Sequence, residues 1–185
     1  MVAVANPAHH PLEVSSRKTS KAKPAADKAE KTERANAATR QQRIFSCADT
    51  YSASPWQQIE MIRAGLPSSA LVETSLAMGI TREQLYQMLN FPRATVTRKI
   101  AARAPLSREM SERLLGLRKL IGQVEVMVRD CGDSEGFDAA RWFSNWLNQS
   151  VPALGGLQPS ALMDTVAGQR ILSELLDRMV SGAYS

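Results

Sequence analysis

The sequence predicts an all-α protein, on three observations. From Ser54 onward apolar residues recur at intervals of three and four, and nowhere is there a sustained period-two run of β-branched residues. Ser, Thr and Gly stand at the ends of these apolar stretches, where they start and stop helices. The chain before them is different. Residues 1–50, with "SSRKTSKAKPAADKAEKTERANAATRQQR", are rich in Ala, Lys, Glu, Ser and Thr and almost without large apolar side chains. Such a segment cannot bury enough surface to offset its ordering entropy, so a disordered tail is expected, with at most a transient Ala-rich helix over residues 24–43.

Ser54 followed by Pro55 reads as a cap with proline at the first helical position. Ile59, Ile62 and Leu66 supply the apolar stripe of that helix, and Gly65 marks its stop. "PSSALVETSLAMG" is a second helix ending at Gly79, and Thr81 caps a third, "REQLYQML", with Leu85, Met88 and Leu89 on one face. Asn90 to Pro92 form a turn, and a fourth helix runs to about Ala102. Ser107 caps a long fifth helix whose Met110, Leu114, Leu117, Ile121, Val124 and Val128 step by 4, 3, 4, 3, 4, an amphipathic pattern with a seam for a second helix. "CGDSEG" breaks it. Phe137, Ala140, Trp142, Phe143, Trp146 and Leu147 belong to the next helix, and "NQSVPALGG" is a loop. Pro159 opens a short helix. Asp164 or Thr165 caps the last one, with Val166, Ile171, Leu172, Leu175, Leu176 and Met179 as its expected buried stripe.

Length and composition narrow the functions. With 185 residues and 44% hydrophobic content, the chain is long enough for one or two packed domains. Cys47 and Cys131 are far apart and outside any CxxC or Cys–His spacing, so neither a disulfide framework nor a zinc site is expected, and a reducing cytoplasm is the expected location. No apolar run reaches 18 residues, so no membrane span is expected, and the first residues lack the layout of an export signal. The only histidines, His9 and His10, lie in the tail, where adjacent side chains do not share a helix face. No strand precedes a glycine-rich phosphate loop, and the carboxylates are scattered over helix surfaces. The reading is therefore not an enzyme, with no metal and no cofactor.

Charge is unevenly placed. Residues 1–50 hold 9 basic and 5 acidic side chains, residues 51–130 hold 11 and 7, and residues 131–185 hold 3 and 6. A basic middle and an acidic end point to two surfaces with different partners, nucleic acid being the candidate for the first. "NFPRATVTRKIAAR", Asn90 to Arg103, has four basic residues and no acid. It coincides with the second helix of a helix-turn-helix pattern, "TREQLYQML–NFPR–ATVTRKIAA", in which Val96 and Ile100 pack inward. Ala94, Thr95, Arg98 and Ala102 then face roughly outward, with Thr97 and Lys99 on the flanks. Small residues let such a helix sit deep in a major groove, Arg98 is suited to guanine edges, and Thr95 to a base or a thymine methyl. Arg93 and Arg103, at the ends, are placed for phosphates. Many helices expose arginines without using them; here the run, the pattern and a basic surrounding coincide. The tail can add phosphate contacts that steepen salt dependence.

Two features of the acidic end stay open on the residues alone. Gly155–Gly156 in "PALGGLQPSALMDT" fits a tight connection between helices as well as a binding loop. Trp142 and Trp146, four apart, fit a core as well as a partner-binding patch.

The order of residues from about Asn90 to Gly182 resembles the Xre/MbcA/ParS family of bacterial antitoxins. Arg93, Thr95 and Arg98 match an R-x-T-x-x-R run, and Leu106, Ser107, Glu112 and Arg113 match an L-S…E-x-x-R helix start. Ala140, Trp146, Leu147, Leu154, Gly155, Gly156, Pro159, Leu162, Thr165, Gly168, Leu176 and Met179 continue the ordered pattern. The resemblance covers about half the chain, and about 130 residues if the segment from Ser54 is included. No single motif is unique; the ordered set is specific.

The resemblance implies three regions: the tail, 1–50; a DNA-binding helix-turn-helix domain, 51–130; and a small helical toxin-binding domain, 131–185. It implies an antitoxin that represses its own promoter, as a homodimer, and binds a RES-fold toxin that consumes NAD. In that family the C-terminal end obstructs the toxin's active site, which maps here to Arg178 through Ser185. The toxin-binding positions implied are Trp142, Leu154, Gly155, Gly156, Arg178, Met179, Gly182, Tyr184 and Ser185. The family's commoner ending stops near Tyr-Gly, whereas Tyr184 follows Gly182 here, so the side chain that enters the toxin pocket stays open. The alternative is a stand-alone transcriptional regulator whose C-terminal domain only dimerises.

Overall fold

The computed structural model describes residues 46–132 and 135–180, which belong to one compact unit. Among the described residues there are eight α-helices and no strand beyond a single bridge between Pro67 and Pro105. The helices are α1 (Cys47–Ser52), α2 (Pro55–Ala64), α3 (Ser69–Met78), α4 (Arg82–Met88), α5 (Arg93–Ala101), α6 (Arg108–Asp130), α7 (Ala139–Trp146) and α8 (Val166–Val180). Two 3₁₀ turns, Pro152–Leu154 and Pro159–Leu162, lie between α7 and α8.

The starts follow local chemistry. Ser54 and Thr81 each accept a hydrogen bond from the backbone N–H three residues on, while Gln57 and Gln84 reach back to the cap's own N–H. Ser107 accepts from Met110 N, and Thr165 from Gly168 N at 3.1 Å, so Thr165 rather than Asp164 caps α8. Gly65 and Gly79 stop α2 and α3.

α1 is a correction. The tail was expected to run to residue 50, but Ser46 and Asp49 make a capping box and Thr50 is buried. The helix is too short to be read from its own periodicity. It forms against α6, where Gly122 lets it approach: a Cβ there would collide with the Cys47 carbonyl. The rest of the expected tail, with His9 and His10, lies outside the described residues.

α6 is the spine. The stripe from Met110 to Val124 is buried as the spacing predicts, but so are Leu115, Leu120, Arg118, Gly122 and Gln123 on its other sides. It packs against α1, α2, α7 and α8, so one core runs through both expected domains. Full burial of each aliphatic side chain contributes about 1.5–3 kcal/mol. The polar groups drawn in with them are matched: Arg118 donates to Thr74 Oγ1 at 3.1 Å, and Gln123 donates to the Ser173 carbonyl and to Asp177 while accepting from Ser173 Oγ.

Two expected stripes are only partly buried. No residue of α2 is fully buried, and Ile59 is exposed, because the helix packs chiefly on α6 alone. On α8, Leu172, Leu175 and Leu176 are buried, while Val166 and Ile171 are 50% and 45% exposed. At 100° per residue these two fall about 100° or more from Leu172, off the packed face. Met179 shares that face yet is 37% exposed, because it stands at the mouth of a groove. Phe137 precedes α7 rather than belonging to it; Asp138 caps that helix by accepting from Arg141 N at 3.0 Å.

Candidate functional site

The helix-turn-helix is α4, the turn Leu89–Pro92, and α5. Leu85 of the first helix, Leu89 at its C-terminal cap and Val96 of the second helix are completely buried, with Ile100 half-buried. The turn is tight: Asn90 adopts φ +51°, its N–H donates to the Gln87 carbonyl, and Phe91 N donates to the Tyr86 carbonyl at 2.8 Å. Burial pushes the Tyr86 phenol above its ordinary pKa, so it stays neutral.

On α5, Arg93, Ala94, Thr97, Arg98, Ala101 and Ala102 are exposed, while Thr95 and Lys99 are half-buried. Ala94, Arg98 and Ala102 are thus exposed as the periodicity predicts, whereas Thr95, expected among them, is half-buried. Arg98 has no ion-pair partner among the described residues. Arg93 stands 3.6 Å from Glu83, with both groups well exposed, a pair a phosphate can replace at small cost. Lys99 is used internally: its Nζ donates to the Pro105 carbonyl at 2.8 Å, tying the end of α5 to the entry of α6. An ammonium has three donors, so two are left. Arg103 follows α5 with φ +50° and its side chain exposed.

Sequence reasoning singled out Arg113 only as a matched position and assigned it no contact. Its Nη1 donates to the carbonyls of Leu89 at 2.7 Å and Asn90 at 3.2 Å, and its guanidinium lies 5.2 Å from the centre of the Phe91 ring. Charge-assisted bonds of this kind contribute about 1.5–3 kcal/mol when buried, less where, as here, one is exposed. A separation of 23 and 24 residues leaves no periodic trace, so only the three-dimensional structure reveals the contact.

In the C-terminal part an apolar groove of about 360 Å³ lies between α6, α7 and α8. Val124, Met127, Val128 and Cys131 form one wall, Phe137 and Trp142 another, and Leu176 and Met179 the third. Trp142 is half-buried, stacked on Trp146 with ring centres 6.1 Å apart, and Phe137 leans on it at 6.2 Å. Trp146 is in the core and Trp142 is half-buried at the groove.

The groove thus brings together two expected toxin-binding residues, Trp142 and Met179. It does not include Leu154, Gly155 or Gly156. Those sit in a loop closed on itself: Gly155 N donates to Pro152, Gly156 N to Val151, and Ser150 Oγ to the Gly156 carbonyl at 2.6 Å. Both glycines have positive φ, +67° and +85°, and Leu154 packs against the core. Leu157, directly after them, is 56% exposed. Arg178 is exposed near the end of α8, and Gly182, Tyr184 and Ser185 lie outside the described residues. Among the described residues no group of His, Cys, Asp and Glu is placed to hold a metal ion, and no helix is long and apolar enough to cross a membrane.

Residues 57–119, from α2 into the first half of α6, match the family described as the antitoxin Xre-like helix-turn-helix domain. Residues 135–182 match the antitoxin Xre/MbcA/ParS C-terminal toxin-binding domain. A curated relative, the Prs ADP-ribosylating antitoxin of Sphingobium sp. (strain YBL2), is 43% identical over 141 residues, 76% of this chain and 89% of the relative.

Proposed function

The chain belongs to the Xre/MbcA/ParS family of antitoxins, with an Xre-like helix-turn-helix and a toxin-binding domain, and from that premise we propose that it neutralises a RES-type, NAD-consuming toxin by occluding its active site. Arg178 through Ser185 are the obstructing segment, and the groove of Trp142 and Met179 is the apolar part of the docking surface, with Leu154, Gly155 and Gly156 as a second contact. The observation that carries this is the groove itself: an aromatic-lined, uncharged recess whose Phe137, Trp142, Leu176 and Met179 lie in the stretch that matches a toxin-binding domain, with Val124, Met127, Val128 and Cys131 as its remaining wall. The Sphingobium relative is described as acting in ADP-ribosylation, a modification whose ADP-ribose comes from NAD, which supports a toxin of that chemistry. The acidic balance of residues 131–185 suits a basic nucleotide-binding cleft. The antitoxin acts by binding and not as an enzyme, in the cytoplasm.

The same chain represses its own promoter. Arg98 and Thr95 read bases, while Arg93, Thr97, Lys99 and Arg103 hold phosphates and orient α5. It binds as a homodimer. The α2 face supports this pairing, exposing Trp56 and Ile59 beside a Glu60–Arg63 pair of opposite charges that a two-fold axis makes self-complementary. The 51–130 and 131–185 division is one of tasks, carried on a shared core.

The deciding experiment measures growth and NAD level in cells expressing the neighbouring open reading frame, with and without this chain. Restoration of both, lost when residues 178–185 are removed while operator binding persists, is expected. A harmless neighbour, or no rescue, favours the stand-alone regulator.

A further inference from the structure

We propose that Arg113 is the positioning residue of the DNA-reading helix: it is the side chain that sets the turn between α4 and α5 and so aims Arg98 and Thr95. The inference rests on the DNA-binding part of the proposed function. The turn that leads into α5 runs from Leu89 to Pro92, and Arg113 touches its first three residues. Two are held through their carbonyls at the C-terminal end of α4, where the helix leaves acceptors without intrahelical partners and carries partial negative charge. The third is held through the face of its ring. Asn90 is also in the left-handed region, which asparagine tolerates better than other side chains with a Cβ, and the Arg113 bond to its carbonyl helps hold that geometry. Nη1 alone donates to both carbonyls while the flat guanidinium stays over the ring; an ammonium keeps donors and charge but lacks the flat, delocalised face that lies over Phe91.

Arg113 is itself anchored from the other end of the chain. Gln169 of α8, buried at 5% exposure, donates to the Arg113 carbonyl at 3.0 Å and to the Met163 carbonyl at 2.9 Å. One turn along α6, Gly116 makes room for it: a Cβ there would collide with the Gln169 side chain. A residue of the C-terminal part therefore fixes the backbone of the residue that fixes the reading helix.

The test uses the full chain, titrated by fluorescence anisotropy against DNA from upstream of its own gene and against a scrambled duplex of equal length, at several salt concentrations, with thermal melts alongside. Arg113→Met is expected to weaken binding to the upstream DNA at least about tenfold, to change binding to the scrambled duplex less than about twofold, and to leave the salt slope unchanged; Arg113→Lys recovers part of the loss. Equal weakening on both duplexes with a slope shallower by about one would make Arg113 a phosphate contact and overturn the proposal. So would wild-type discrimination in the variant. If Arg113→Met does not fold, Phe91→Leu decides: it removes the ring face and is expected to lower discrimination between the two duplexes, and unchanged discrimination overturns the proposal. A wild-type chain that does not distinguish the duplexes instead removes the DNA-reading function itself.

Discussion

The segment from α2 to α5 and the segment from α7 to α8 share one core with α6 and leave opposite surfaces. The first is made of helices of seven to ten residues, two of which, α2 and α4, start in capping boxes, and it presents arginines and alanines. The second is joined by a hydrogen-bonded loop and by glutamines that cross to α6, and it presents Phe137, Trp142 and Met179 around an uncharged groove. A basic convex helix suits a polyanion whose grooves have regular geometry. An aromatic recess suits one particular protein surface. One core supports both, so stability is shared while recognition is divided.

The largest effect should erase the comparison. Leu117 is completely buried in α6, and Leu117→Ala is expected to cost about 2–5 kcal/mol. Operator binding and toxin neutralisation should fall together, in a single unfolding transition by calorimetry. Two separate transitions would show that the segments fold independently.

The next pair should sharpen it. Trp142→Asp is expected to weaken toxin binding by about 2 kcal/mol or more, roughly thirtyfold, in a pull-down titration while leaving operator affinity within twofold. Arg98→Ala should do the converse, costing about 1–3 kcal/mol on the operator and relaxing its sequence preference with neutralisation intact. If either variant damages both activities without lowering the melting temperature, the division of labour is wrong.

Gln169→Leu sits on the boundary between the two segments. Through Arg113 it is expected to reduce discrimination between upstream and scrambled DNA by a few-fold, although it lies on α8; unchanged discrimination in the folded variant would confine Gln169 to holding α8 in place. The smallest effect is chemical. Burial holds the Cys47 thiol above its ordinary pKa, while Cys131 is exposed at the groove. Iodoacetamide at pH 8 should modify Cys131 first by mass spectrometry, and bound toxin should slow that reaction.

Much of this was legible beforehand. Ser54, Thr81 and Ser107 announced their helices because a cap and its N–H partner are three residues apart. Val96 and the Met110–Val124 stripe announced their burial because a helix repeats its faces every 3.6 residues. The ordered residues from Asn90 onward carried the family. Val166, Ile171 and Ile59 misled, since an apolar residue need not be inside. The groove was half legible: Trp142 and Met179 were named, but their meeting with Met127, Val128 and Phe137 was not.

Local structure was therefore determined by the sequence itself: which segments are helical, where they start and stop, and which stripe of each is apolar. Tertiary structure alone decided that α1 is packed against α6, that α6 is packed on several sides, and that Arg113, Gln123 and Gln169 find their partners. The physical reason is range. A cap or a helical stripe is settled by interactions within a few residues along the chain. A buried guanidinium or amide is settled by a carbonyl that only the packing of distant helices brings within about 3 Å.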